Sequence, residues 1–136
     1  MRSQDERGST TIFILVMALA LFGSAALVID GGYALSERRE LTNQAEQAAR
    51  VGADALNQNS LRDGGRVSVD PARARAAADA YLRAVDAPPS TITITGSRVT
   101  VTLSTTYDTV LLSVIGMNEM SVSGSGSAES IDADGL

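Results

Sequence analysis

The chain has 136 residues, a formal net charge of −5 and a pI near 4.6. All 11 basic residues are Arg, and Cys, His, Trp and Lys do not occur in the sequence. This composition argues against a disulfide framework, Ser-His or Ser-Lys catalysis, a histidine or thiolate metal site and a basic nucleic-acid-binding surface. We therefore expect no enzyme activity, no cofactor, no metal site and no nucleic-acid partner.

An uncharged apolar run occupies residues 8–29. As a helix, its 22 residues would span about 33 Å, slightly more than the roughly 30 Å hydrocarbon core of a bilayer. We interpret residues 9–29 as a single membrane-spanning helix, preceded by a short head at residues 1–8. The alternative is a secretory signal peptide cleaved near the small residues 24–26. A buried core helix is disfavoured because the run is apolar on every side.

Helical character continues as an extension over residues 30–58, which contains no Pro and is rich in Ala, Leu, Glu, Gln and Arg. Small residues and one leucine recur at spacings of mostly three or four along one face of this extension: Ala34, Leu41, Ala45, Ala48, Gly52 and Ala55. Such a stripe lets another helix approach closely, or it packs under the chain's own C-terminal domain. Asp30 is interpreted either as the water-facing end of the span or as a contact in an assembled helix bundle.

Residues 59–129 are predicted to form a small α+β domain on the far side of the membrane. A polar loop at 58–69 leads to Asp70-Pro71, an N-cap followed by Pro at the first helical position. The apolar face of the helix that follows includes Ala74, Ala78, Leu82 and Val85, and the helix ends before Pro88-Pro89.

Strict alternation of apolar and polar residues then predicts strands. Residues 91–95 and 98–104 alternate around the turn Gly96-Ser97, which is typical of a β-hairpin with one buried face. Asp108 is a candidate cap for a helical turn at 109–115 that ends at Gly116. The Gly-Ser alternation of residues 120–128 favours a third antiparallel strand, although such a composition also suits a flexible tail. We expect a flexible tail over residues 130–136.

Four elements of the N-terminal half occur together: Arg7-Gly8 before the apolar helix, Asp30-Gly31 at its end, Arg38-Arg39-Glu40-Leu41 beyond it, and an Ala-rich run at 44–53. Together they resemble the N-terminal segment of TadE/TadG-like proteins of the Tad (tight adherence, Flp-type) pilus system. The Val-x-Val strand, the Leu-Leu-x-x-x-Gly turn at 111–116 and the final small-residue strand are similar to the family more loosely.

The resemblance implies a pilin-like α+β fold and a role as a pseudopilin or minor pilin in pilus assembly or within the filament. It implies a single-pass protein of the bacterial cytoplasmic membrane, with the N-terminus inside and the C-terminal domain outside, that can enter an extracellular pilus. The implied partners are membrane lipid, other pilins or pseudopilins bound through the N-terminal helix, Tad membrane platform proteins and a prepilin peptidase. That peptidase would cut after Gly8 and leave Ser9 as the new N-terminus.

One residue departs from the pilin pattern, which expects Glu at the fifth mature position where this chain has Phe13. The departure favours the TadG-like branch or an unprocessed, membrane-anchored form. The residues expected to pack in an assembled helix bundle are Phe13, Ala18, Gly23, Ala26, Asp30, Leu41, Ala45, Ala48 and Gly52. Two rival functions stay open: a membrane-tethered binding module that never enters a filament, and a major filament subunit.

Overall fold

The computed structural model describes residues 5–60 and 70–130 and has the predicted mixed α+β architecture. Helices α1 (Asp5–Ser60) and α2 (Pro71–Ala84) precede strands β1 (Ser90–Thr95), β2 (Arg98–Asp108) and β3 (Glu119–Glu129), with a 3-10 turn at Leu112–Ile115 between the last two strands. The strands form a three-stranded antiparallel sheet in the order β1-β2-β3. Most of the predicted loop, residues 61–69, and the tail residues 131–136 lie outside the described residues.

Helix α1 is continuous through the apolar run and its polar extension. The Gly31-Gly32 pair does not interrupt it, and it ends at Ser60, two residues beyond the predicted extension at 30–58. By length and composition, α1 is apolar enough to cross a membrane, and few of the residues in its apolar window are buried within the chain. The prediction of one long N-terminal helix is therefore confirmed.

Helix α2 begins as its sequence predicts. The Asp70 carboxylate accepts hydrogen bonds from the backbone N–H groups of Ala72 (3.0 Å) and Arg73 (3.4 Å), and Pro71 occupies the first helical position. Its buried face consists of Ala74, Ala78 and Leu82. Val85, which was expected on this face, is the C-cap residue and is exposed, because the helical spacing ends one residue earlier.

The hairpin has the predicted alternation and register. Ile92 pairs with Val101 and Ile94 with Val99 across β1 and β2, so apolar side chains share one face of the sheet. Val99, Val101 and Leu103 are fully buried, whereas the Thr side chains between them are more exposed. The third strand reaches Glu129, and the Ser130 N–H donates to the Ser97 carbonyl (3.0 Å). Ser130 is buried, so the predicted flexible tail does not begin at that residue.

The chain divides into two compact units, and α1 contributes to both. One unit contains Met1–Leu35 and Tyr107–Met120, which means that the end of β2, the 3-10 turn and the start of β3 join the N-terminal helix. The other contains Ser36–Thr106 and Ser121–Leu136, and it includes α2 and most of the sheet.

Candidate assembly surface and helix anchor

The apolar run of α1 presents its side chains outward along almost its whole length. Large apolar residues between Ile12 and Ile29 are exposed, and Phe13 and Leu19 are both 64% accessible. Of the residues predicted to pack in an assembly, Phe13 and Ala18 are exposed and Gly23 is half-buried, and the predicted cleavage residues Gly8 and Ser9 are exposed as well. Such a surface is unfavourable in water, and its length and composition suit contact with lipid or another apolar partner.

The small-residue stripe of the polar extension lies instead against the chain itself. Leu41, Ala45 and Ala48 are at most 1% exposed, and Gly52 is buried. A Cβ atom at Gly52 would lie 3.1 Å from Val99 Cγ1 and 3.2 Å from the Ala74 carbonyl oxygen, so α2 and β2 both approach the helix there. The sequence left two interpretations of this stripe open: contact with another helix, or packing under the chain's own C-terminal domain. The structure contains the second.

Two glycines allow strand β3 to lie directly on α1. A Cβ atom at Gly124 would lie 2.5 Å from the Thr42 backbone nitrogen, and one at Gly126 would lie 2.5 Å from Glu46 Cα. Real Cβ atoms essentially never approach other atoms within 3.0 Å. The two positions share the buried face of β3 with Val122, while the serines that alternate with them are exposed. Glycine is therefore required here by the closeness of the helix.

Asp30 anchors a distant part of the chain to the end of the apolar run. Its carboxylate accepts three backbone hydrogen bonds: from Val110 N–H (3.2 Å), Leu111 N–H (3.0 Å) and Leu112 N–H (2.7 Å). The Tyr107 hydroxyl donates to the Asp30 carbonyl oxygen (3.4 Å) and also lies 3.2 Å from the Met120 sulfur. The carboxylate thus caps the start of the 3-10 turn from about 80 residues away.

Burial and hydrogen bonding act in opposite directions on Asp30. Desolvation by burial alone would raise the pKa of its carboxyl group, but the three N–H donors outweigh this effect and hold the pKa below its ordinary value. Asp30 is only 1% exposed, and Ala26, one turn earlier, is 2% exposed. The expectation of a water-facing Asp30 is therefore wrong, because the turn at 110–112 covers it.

Asp108, the predicted cap of this turn, does not have that role. It is the exposed last residue of β2. The N–H groups at the start of the turn donate their hydrogen bonds to Asp30 instead. Gly116 does end the turn as predicted, with a left-handed φ of +90°. Sequence reasoning missed the pairing because 80 residues separate the partners. Two sequence features could have indicated it: a lone Asp directly after the apolar run, and an uncharged segment at 109–118 whose backbone N–H groups needed an acceptor.

The described parts of the chain contain no cluster of three or more potential metal ligands. An open polar groove is lined by residues of α1, β2 and β3: Arg38, Thr42, Thr102, Ser123, Gly124 and Ser125. A single cation and several hydroxyl groups in an open groove do not form a catalytic arrangement. The features that distinguish this protein are the exposed apolar run of α1 and the turn whose N–H groups at 110–112 bind Asp30.

Comparison with known proteins finds one similarity, and it lies in the N-terminal helix. Residues 8–55 match the Tad family model, described as "Putative Flp pilus-assembly TadE/G-like". The match covers the apolar run and nearly all of the polar extension, and it confirms the resemblance inferred from the sequence over these residues. No curated protein and no solved structure matches the chain.

Proposed function

We propose that the protein is a membrane-anchored minor pilin or pseudopilin of a Tad-type pilus, because residues 8–55 of its N-terminal helix match the TadE/G-like Flp pilus-assembly family model. The family match supports a role in the Tad pilus and suggests that this role is structural rather than enzymatic. In the proposal, residues 9–29 cross the bacterial cytoplasmic membrane once, with residues 1–8 inside and the remainder outside.

The observation that carries the proposal is the contrast between the two halves of α1. One face of the polar half is buried within the chain, whereas nearly all the side chains of the apolar half are exposed. Transferring about twenty such side chains from lipid to water would cost tens of kcal/mol, at roughly 25 cal/mol per Å². The helix can therefore leave the membrane only when other pilin helices receive it.

Small residues on the apolar half of α1 allow a neighbouring helix to pack closely against it. Ala18 is exposed and Gly23 is half-buried within the chain, so both remain open to close approach by a neighbouring helix. Phe13 occupies the position where processed pilins carry Glu, and its exposed apolar ring suits a TadG-like or unprocessed anchor. The proposed partners are other pilin-like helices and the platform proteins of the Tad system.

The test is a deletion strain complemented with helix variants and examined by electron microscopy for pilus number and length. Ala18→Leu keeps the span apolar but blocks close packing, so we expect normal membrane levels and fewer or shorter pili. Leu19→Val is the matched control, and we expect it to restore piliation. Unchanged pili in the deletion strain would overturn the proposal and favour a membrane-tethered binding module.

Two measurements distinguish the forms of this proposal. Sequencing the mature N-terminus separates cleavage after Gly8, which leaves Ser9, from an intact anchor and from signal-peptide cleavage near residues 24–26. Abundance in sheared pili separates a minor component from a major subunit, because a major subunit would dominate the sheared fraction.

A further inference from the structure

We propose that the segment Thr109–Asn118, which we name the anchored turn, docks onto the lipid surface at the outer end of the membrane span. The inference rests on the proposed membrane anchoring of residues 9–29. It adds a second membrane contact, made by residues more than 70 positions further along the chain.

The anchored turn is apolar and exposed at the same time. It contains no charged residue, and Asp108 and Glu119 flank it. Val110 (64%), Val114 (72%) and Met117 (52%) are exposed, whereas Leu112 is buried. A short turn that projects three large apolar side chains is typical of a surface that inserts among lipid headgroups rather than one that faces water.

Hydrogen bonds hold this turn where the apolar run ends. The Asp30 carboxylate receives the N–H groups of Val110, Leu111 and Leu112, and Asp30 directly follows residue 29. Leu27 and Val28 are exposed just before it, and Tyr33 is exposed one turn after it. The projecting side chains of the turn are therefore held at the end of the apolar run. Tyr33 lies close to the same end, and Tyr residues are enriched at membrane interfaces.

Most of the backbone N–H groups of the turn are hydrogen-bonded within the protein. Besides the three N–H groups bound by Asp30, those of Thr109, Val114, Gly116 and Met117 donate to the carbonyl oxygens of Asn118, Leu111, Ser113 and Leu112 respectively. The Thr109 hydroxyl donates to the Met117 carbonyl oxygen and the Ser113 hydroxyl to the Val110 carbonyl oxygen (3.1 Å). An irregular segment that enters an apolar layer must satisfy its polar groups internally. These bonds occupy most of the backbone N–H groups of the turn, which lowers the cost of placing it among lipid headgroups.

Depth-dependent fluorescence quenching can test the inference, because the chain contains no Trp. Three full-length single-Trp variants are reconstituted in phosphatidylcholine–phosphatidylglycerol vesicles with acyl chains brominated near the headgroup or near the terminal methyl. Val114→Trp reports on the anchored turn, Leu19→Trp on the middle of the span, and Val85→Trp on an exposed valine of the other unit. Far-UV circular dichroism of each variant establishes that the fold is retained.

We expect headgroup-proximal bromines to quench Val114→Trp emission about twofold, as for a side chain at the headgroup–acyl boundary, and deep bromines to quench Leu19→Trp. Val85→Trp should be quenched by neither lipid. If Leu19→Trp is quenched but Val114→Trp is not, docking is refuted while the anchor stands. If neither is quenched, the membrane anchor itself fails.

A further variant tests the tether. Asp30→Ala is combined with each Trp variant in turn. It should reduce the quenching of Val114→Trp emission and leave the quenching of Leu19→Trp emission unchanged. Retained quenching would refute the role of Asp30 in placing the turn. Blue-shifted Val114→Trp emission that depends on protein-to-lipid ratio and not on bromination would mean that a second copy of the chain covers the turn, and it would overturn the lipid assignment.

Discussion

The crossing of β3 over α1 makes Gly126 a sharp test of the fold. An alanine Cβ at Gly126 would lie 2.5 Å from Glu46 Cα and 2.7 Å from the Ala45 carbonyl carbon. These are backbone atoms of a helix, which cannot rotate away as a side chain can. The strand or the helix must therefore shift as a body.

The magnitude follows from two opposing effects. Overpacking costs about 1–3 kcal/mol and occasionally more, whereas replacing Gly with Ala lowers the entropy of the unfolded chain and stabilises the fold by about 0.4–1 kcal/mol. Because several backbone atoms conflict at once, the upper part of the first range applies. We expect Gly126→Ala to lower the free energy of unfolding by about 2 kcal/mol.

The assay is guanidinium unfolding of the full chain in detergent micelles, followed by far-UV circular dichroism. Ser125→Ala is the matched control, since Ser125 is exposed on the opposite face of the same strand, and it should change stability by less than about 0.5 kcal/mol. Gly52→Ala should fall between them, because its nearest contacts are 3.1 and 3.2 Å. If Gly126→Ala is as stable as Ser125→Ala, the strand does not lie as close to the helix as we describe.

Three further predictions use the same preparation. Leu41→Ala should destabilise the fold by about 2–4 kcal/mol, because Leu41 is 1% exposed, and Leu35→Ala, at a site 58% exposed, is its control; equal effects would contradict the buried stripe. Gly116→Ala should cost about 1–2 kcal/mol, because its φ of +90° is left-handed. Its control is Gly31→Ala, at a helical site with no atom within 4 Å of the added Cβ, which should stabilise the fold by about 0.4–1 kcal/mol. The pKa of Asp30 is lowered in the folded state, so the carboxylate contributes its full stabilisation above the unfolded pKa of about 4 and loses it as the pH falls through the folded pKa. Asp30→Asn should therefore have a lower free energy of unfolding than the native protein at neutral pH. The difference between the two free energies should shrink on acidification. A constant gap between pH 7 and 3 would contradict the three hydrogen bonds to the carboxylate.

Elements whose signals are local could be predicted from the sequence. Asp70 and Pro71 start α2 through hydrogen bonds and dihedral angles that involve the next three residues, and the Ile-Thr alternation of 91–95 defines which face of β1 is buried. The family resemblance likewise lay within one continuous helix, residues 8–55. None of these inferences required knowledge of which distant segments meet.

The candidate site depended on just such a meeting. The local pattern pointed to Asp108 as the cap of the 3-10 turn, because capping residues usually lie next to the helix they cap, yet Asp30 binds those N–H groups instead. The glycines of β3 likewise suited both a strand and a flexible segment. Only their contact with the backbone of α1 distinguishes the two.

Composition and periodicity therefore determined by themselves that this chain has an apolar helix able to cross a bilayer, a polar extension with one small-residue face and a short alternating sheet, because each depends on neighbouring residues. The tertiary structure decided how those surfaces are used. It buried Leu41, Ala45 and Ala48 within the chain's own domain and enclosed Asp30 beneath the turn at 110–112. The physical reason is that a stripe of small residues or a lone carboxylate specifies how close a partner can come or how many donors it can bind, but not which part of the chain arrives.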